Sequence, residues 1–173
     1  MEYVLGAVII VLAVAWVLSL KQRLMGMNEN LQSALNRIVL QTSSLYDALT
    51  ALLEQIREID AQEVQTLIEQ IRSKRRRVGA ESALQQVYEQ QLLASDAIKK
   101  ISVLAAQHPA IADNPNYLSC RAAVEQCTNR VRTSWLLYND SVTRFNREIR
   151  LFPASLLAKI MGLRQKEHLE ETV

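Results

Sequence analysis

Four side chains in the sequence have the chemistry of metal ligands, or of a nucleophile and its base: Cys120, Cys127, His108 and His168. The cysteines are seven residues apart, close to two turns of a helix, which sets them on one face about 10 Å apart along the axis. That is too far for a disulfide within the helix. They read as small core residues, reduced and buried. A Cys2His2 set could be drawn from the four, but the spacing matches no zinc pattern, and both histidines fall outside the helix interiors. Neither histidine has a Ser or Cys placed for a triad, no HExxH occurs, and there is no glycine-rich phosphate loop. The carboxylates are scattered over outward helix faces. The chain is expected not to be an enzyme, and to hold no metal and no cofactor.

The other concentrated chemistry is charge. Lys74, Arg75, Arg76 and Arg77 stand ahead of Gly79, as cations do at a helix C-terminus that a glycine closes. The alternative role for this run is a contact with anionic headgroups or an acidic partner. The net charge of +2 is too small to point to nucleic acid.

These groups must be positioned by helices. With four glycines and three prolines, and no strand-like alternation beyond the first twenty residues, the chain reads as all-α. Leu31, Leu35, Ile38, Thr42, Leu45, Leu49, Leu52, Ile56 and Ile59 follow each other in steps of three and four, a heptad seam of the coiled-coil kind. The seam then jumps to Val64, Leu67 and Ile71 across Asp60 and Glu63, which have capping-box spacing; one drifting helix and two separate helices both fit. A further helix fits residues 81–107, with Leu84, Val87, Ile98, Ile101 and Ala105 inward and Gln91 and Ser95 weakening the stripe. His108-Pro109 stops it, and Asn114-Pro115 opens the next as an N-cap and a first-turn proline. That helix is expected to reach Phe152, with Tyr117, Cys120, Val124, Cys127, Val131, Ser134, Tyr138, Val142, Phe145, Ile149 and Phe152 inward.

Residues 3–20 carry no charge and, as a helix, span about 27 Å, close to a hydrocarbon core. Basic residues follow this run and none precedes it, which favours an uncleaved anchor over a signal peptide. By the positive-inside rule Lys21, Arg23 and Arg37 place the bundle in the cytoplasm and the N-terminus outside. Beyond the anchor, 20 basic and 17 acidic side chains balance, the 17 being the total of 18 less Glu2. The organisation expected is a transmembrane anchor over 1–22, an antiparallel bundle of three to four long helices over 23–152, and an apolar segment with a polar tail over 153–173.

The C-terminal part resembles a known family. Tyr138-Asn139, Phe145-Asn146, Ile149, Phe152-Pro153, Leu157-Ala158 and Gly162 are similar to the C-terminal signature of the LemA family. The stretches beginning at Ala34 and at Ile101 resemble its first and middle blocks. The chain departs from the family in having Ala48 where a proline usually follows the aspartate, and Leu163 where an aromatic follows the late glycine. The resemblance implies a single membrane-anchoring helix carrying an antiparallel helical bundle in the bacterial inner membrane, with no established enzymatic activity. It further suggests a homo-oligomeric scaffold that organises or remodels membrane, with the lipid bilayer and a membrane protein as its partners. The second reading is an adaptor or regulator of an envelope protease or stress system.

Within the signature, Asn139 and Asn146 each follow a core aromatic. They are expected to bond polar groups of a neighbouring helix or loop at the core margin, because a buried amide needs partners, with ligand binding as the alternative. Pro153 should bend the chain. The apolar residues after it, Leu156, Leu157, Ile160 and Leu163, are candidates for a contact surface or for a cap on the bundle's own core.

Overall fold

The computed structural model describes residues 1–57, 61–75 and 83–169, and its described residues are all-α with no strand among them. The helices are α1 (Glu2–Ile56), α2 (Ala61–Arg75), α3 (Ala83–Gln107), α4 (Pro109–Ala112), α5 (Pro115–Glu148) and α6 (Ala154–Ile160). The fold is a helical bundle with a long apolar helix at its N-terminus. Two compact units divide it, one made of Met1–Ala34 with Leu137–His168, the other of Leu35–Leu136 with Leu169.

Helix α1 is unbroken from the uncharged run into the heptad seam, so the boundary expected near residue 22 falls inside a helix. Its first part is long and apolar enough to cross a membrane, and none of that run is buried within the chain. Of the open alternatives for the following stretch, two helices are seen: α1 ends at Ile56 and α2 starts at Ala61. Ile59, Asp60 and Gly79 lie outside the described residues, as do the side chains of Glu63 and Leu84.

In the second unit the seam is buried from Ile38 onward, while Leu35 is only half-buried. Ile38, Thr42, Leu45, Leu49, Leu52 and Ile56 of α1 are buried, together with Val64, Leu67 and Ile71 of α2. Tyr46, Leu53 and Ile68 are buried beside them, because the apolar stripe of a packed helix is wider than two positions per heptad. Tyr46 donates its hydroxyl to the Gln90 carbonyl at 2.9 Å, which joins α1 to α3. Burial pushes its phenol well above the ordinary range.

Helix α3 corrects the sequence reading. Its buried stripe is Val87, Gln90, Ala94, Ala97, Ile101 and Ala105, a regular series of threes and fours, and Ile98 is only half-buried. The stripe looked broken because its middle is built from alanines, whose small side chains let helices approach closely.

The junction from α3 to α5 follows the two prolines. The His108 N–H turns back to the Ala105 carbonyl at 3.2 Å, α4 fills one turn, and the Asn114 side chain accepts the Asn116 N–H at 2.8 Å to cap α5. Along α5, Tyr117, Val124, Val131, Ser134, Tyr138, Val142, Phe145 and Ile149 are buried as the spacing predicts, and Trp135 joins them. Three expectations fail here. Cys120 and Cys127 are half-buried rather than buried, and Phe152 is 80% exposed. The last has a simple cause. Helix α5 stops at Glu148 and its final turn tightens, with the Arg150 and Leu151 N–H groups reaching the Arg147 and Glu148 carbonyls, so the helical phase is lost before residue 152.

Candidate functional site

The family-like residues of the C-terminal segment all fall in the first unit, and they are brought together by the chain reversing on itself after α5. Tyr138 and Phe145 are buried on α5, one turn-pair apart on the same face. Asn146 follows Phe145 at the margin of that face and is half-buried. Its amide makes a reciprocal pair with the backbone of Lys166: Nδ2 donates to the Lys166 carbonyl and Oδ1 accepts the Lys166 N–H, both at 2.8 Å. One side chain thereby satisfies both polar groups of a residue that belongs to no helix.

Three further contacts run along the same segment. Arg150 donates to Gln165 Oε1 at 2.8 Å, and Thr143 Oγ1 lies 2.9 Å from His168 Nε2. Tyr138 donates to the Glu167 carbonyl at 3.4 Å, a long and weak bond. Burial, and secondarily the charge of Glu167, raise the Tyr138 phenol above its ordinary range. Residues 163–168 are therefore strapped back along α5, with Asn146 as the central clasp. Asn139, one turn-pair earlier, is half-buried.

The reversal itself is made by Pro153 and Gly162. Pro153 precedes α6 as its N-cap residue, and the Ser155 N–H bonds the Leu151 carbonyl at 2.8 Å. After α6 the Gly162 N–H reaches the Lys159 carbonyl at 3.2 Å, and the Leu163 N–H reaches the Ala158 carbonyl at 2.9 Å. With Gly162 at φ 67° this is a Schellman ending, which requires the left-handed backbone that glycine adopts without strain. The signature glycine thus has a backbone reason.

The candidate contact residues divide. On α6, Ala154 and Ala158 are buried, Leu156 and Ile160 are exposed, and Leu157 is half-buried, as is Leu163 beyond the helix end. Leu151 and Phe152, in the turn, are exposed as well. Next to this surface lies a cleft of about 550 Å³ lined by α1 residues Arg23, Met27 and Asn30 and by α5 residues from Asp140 to Glu148, with Leu151. Arg23 pairs with Glu148 at 3.3 Å and Arg144 with Asp140 at 2.9 Å, exposed pairs of small energetic weight.

The groups that could do covalent or metal chemistry are not assembled. Among the described residues no three of His, Cys, Asp and Glu stand where they could hold a metal ion. His108 is exposed beside Pro109 and His168 lies in the strap. The basic run Lys74, Arg75, Arg76 and Arg77 begins in the last turn of α2, and its side chains lie outside the described residues. Sequence reasoning missed Gln165, Lys166 and His168 as parts of this region. Two of the strap bonds are made to backbone atoms of Lys166, which leave no mark in residue type; only the asparagine that reads them was visible.

A family model described as LemA family matches residues 34–172. No curated protein matches the chain.

Proposed function

The chain belongs to the LemA family, and from that premise we propose that it is a non-enzymatic, membrane-anchored helical scaffold that self-associates and organises or remodels membrane. The observation that carries this reading is the apolar surface of Leu151, Phe152, Leu156 and Ile160, exposed in the same compact unit as the apolar run of α1. Isolated exposed leucines are ordinary, whereas several together mark a contact. The charges after the apolar run, Lys21, Arg23 and Arg37, favour a cytoplasmic bundle in the inner membrane with the N-terminus outside.

The test is the size of the full chain in mild detergent, together with the shape of vesicles that contain it. Homogeneous assemblies and deformed vesicles are expected. A monomer that leaves vesicles unchanged sinks the scaffold, and a monomer captured with an envelope protease establishes the adaptor role instead. For orientation, Asn36→Cys, at an exposed position of α1, should resist an impermeant maleimide added to intact cells. Labelling there reverses the topology.

A further inference from the structure

Helix α6 is built the wrong way round for a helix that merely ends a soluble domain. Its alanines, Ala154 and Ala158, are buried, whereas of its three large apolar residues Leu157 is half-buried and Leu156 and Ile160 are 56% and 82% exposed. The two pairs are each spaced i,i+4 and lie nearly opposite each other on the helix, so both faces are well defined. A terminal helix stabilised by its own bundle would bury the large side chains and show the small ones, because burial energy scales with apolar area. Here the small face is buried and the large face is left outward, and Leu151 and Phe152 in the preceding turn are exposed as well.

The position of this face says what covers it. The cleft lining runs Asn30, Met27, Arg23 along α1 and Ser141, Arg144, Glu148 along α5 to Leu151 just beyond it, with Arg23 bonded to Glu148, so the two helices are antiparallel in this unit. One turn further along α1 from Arg23 is Leu20, the last residue of the uncharged run. The turn at Leu151 and Phe152 therefore lies level with the point where a membrane-spanning helix leaves the hydrocarbon. The charge agrees with this placement. Between residues 149 and 166 there are four cations, Arg150, Lys159, Arg164 and Lys166, and no acid. Exposed apolar side chains interspersed in sequence with cations and no acid are the composition of a segment that lies in a membrane interface.

We propose that the turn at Phe152 and the outer face of α6 form a second membrane contact, seated in the interface of the same bilayer that holds α1, with Phe152, Leu156 and Ile160 among the acyl chains and the flanking cations at anionic headgroups. The contact rests on the membrane-anchored part of the functional reading and does not depend on self-association. It fixes the first unit to the bilayer at two points, α1 and the C-terminal face, rather than at one.

The experiment uses the full chain with Cys120→Ala and Cys127→Ala, one copy per nanodisc of phosphatidylglycerol and phosphatidylcholine. Phe152→Cys, Leu156→Cys, Ile160→Cys and, as a reference, Val103→Cys each carry a nitroxide; these positions are exposed, so the labels leave the fold in place, which helicity checks. At 152, 156 and 160 collisions with oxygen are expected to outweigh those with a water-soluble nickel chelate, as in acyl chains, while 103 shows the reverse. If 152, 156 and 160 behave like 103, the contact does not exist. If they are shielded from both reagents, a protein surface covers them and the bilayer assignment falls. Equal depth in discs of phosphatidylcholine alone overturns the role given to the cations. Because each disc holds one copy, these outcomes are independent of whether the chain assembles, which the detergent sizing decides separately.

Discussion

Two stretches of the chain carry many apolar residues and treat them oppositely. In the unit built around Leu45, Leu49, Leu53, Ile56, Ile71 and Ile101, large side chains are buried almost completely along a three-four period. In the turn and helix that follow α5, Phe152 and Ile160 are exposed and the elements are positioned by polar devices instead: the Asn146 clasp, the Gly162 ending and the Arg150–Gln165 bond. The contrast teaches that apolar content says how much surface must be covered and not by what. The seam is covered by the chain itself. The C-terminal face is held in shape without using its largest apolar residues, which leaves them available for something else.

The comparison breaks or holds most clearly on one pair of phenylalanines. Phe145→Ala should destabilise the chain by about 3–5 kcal/mol, the usual cost of emptying a buried aromatic site. Phe152→Ala should change denaturant or thermal unfolding by less than about 0.5 kcal/mol, as substitutions at exposed sites do. Equal losses would mean that the C-terminal face is core after all.

The clasp comes next. Asn146→Ala removes both bonds to Lys166 and should cost about 1–3 kcal/mol, the range for polar groups stripped of their partners. The loss should be local. Amide exchange at Lys166 should accelerate strongly while that of Leu49 stays slow. Asn146→Asp, which keeps the acceptor and loses the donor, should fall between the two.

A smaller effect sharpens the account of the reversal. Gly162→Ala should cost about 1–2 kcal/mol, because an L side chain is disfavoured in the left-handed region. No atom lies within 4 Å of the added methyl, so the cost is conformational and should not grow with a small increase in side-chain size. A steep rise from Ala to Ser in unfolding measurements would show that packing is responsible.

The smallest of the expected losses belongs to the second unit. Tyr46→Phe loses one neutral hydrogen bond, worth about 0.5–1.5 kcal/mol. Because its phenol is raised in the folded chain, the folded state holds its proton more tightly than the unfolded state. The stability from this linkage is complete below the ordinary tyrosine range and declines as pH rises through and beyond it. Unfolding followed between neutral and strongly alkaline pH should show that decline in the parent chain and a weaker one in the variant. An equal decline in both would remove Tyr46 from the account.

Much of the buried unit could be read from residue order alone. A helix with period 3.6 must turn every third or fourth residue to the same side, so Leu45, Leu49 and Ile56, or Tyr117, Val124 and Val131, declare their face without reference to anything distant. The prolines at 109 and 115 declare the junction for an equally local reason, since each lacks an N–H. The run over 3–20 declares a possible span by length and lack of charge. What tertiary structure decided begins where neighbours are chosen over long separations. It made Ala94 and Ala97 the centre of the α3 face, because close approach favours small residues only once a partner helix is there. It stopped α5 at Glu148 and turned Phe152 outward, against a periodicity that pointed inward. It gave Asn146 its partners twenty residues away, on backbone atoms that every residue type presents alike. Periodicity is a property of one helix; the choice between covering an apolar face and leaving it open is a property of everything that comes near it.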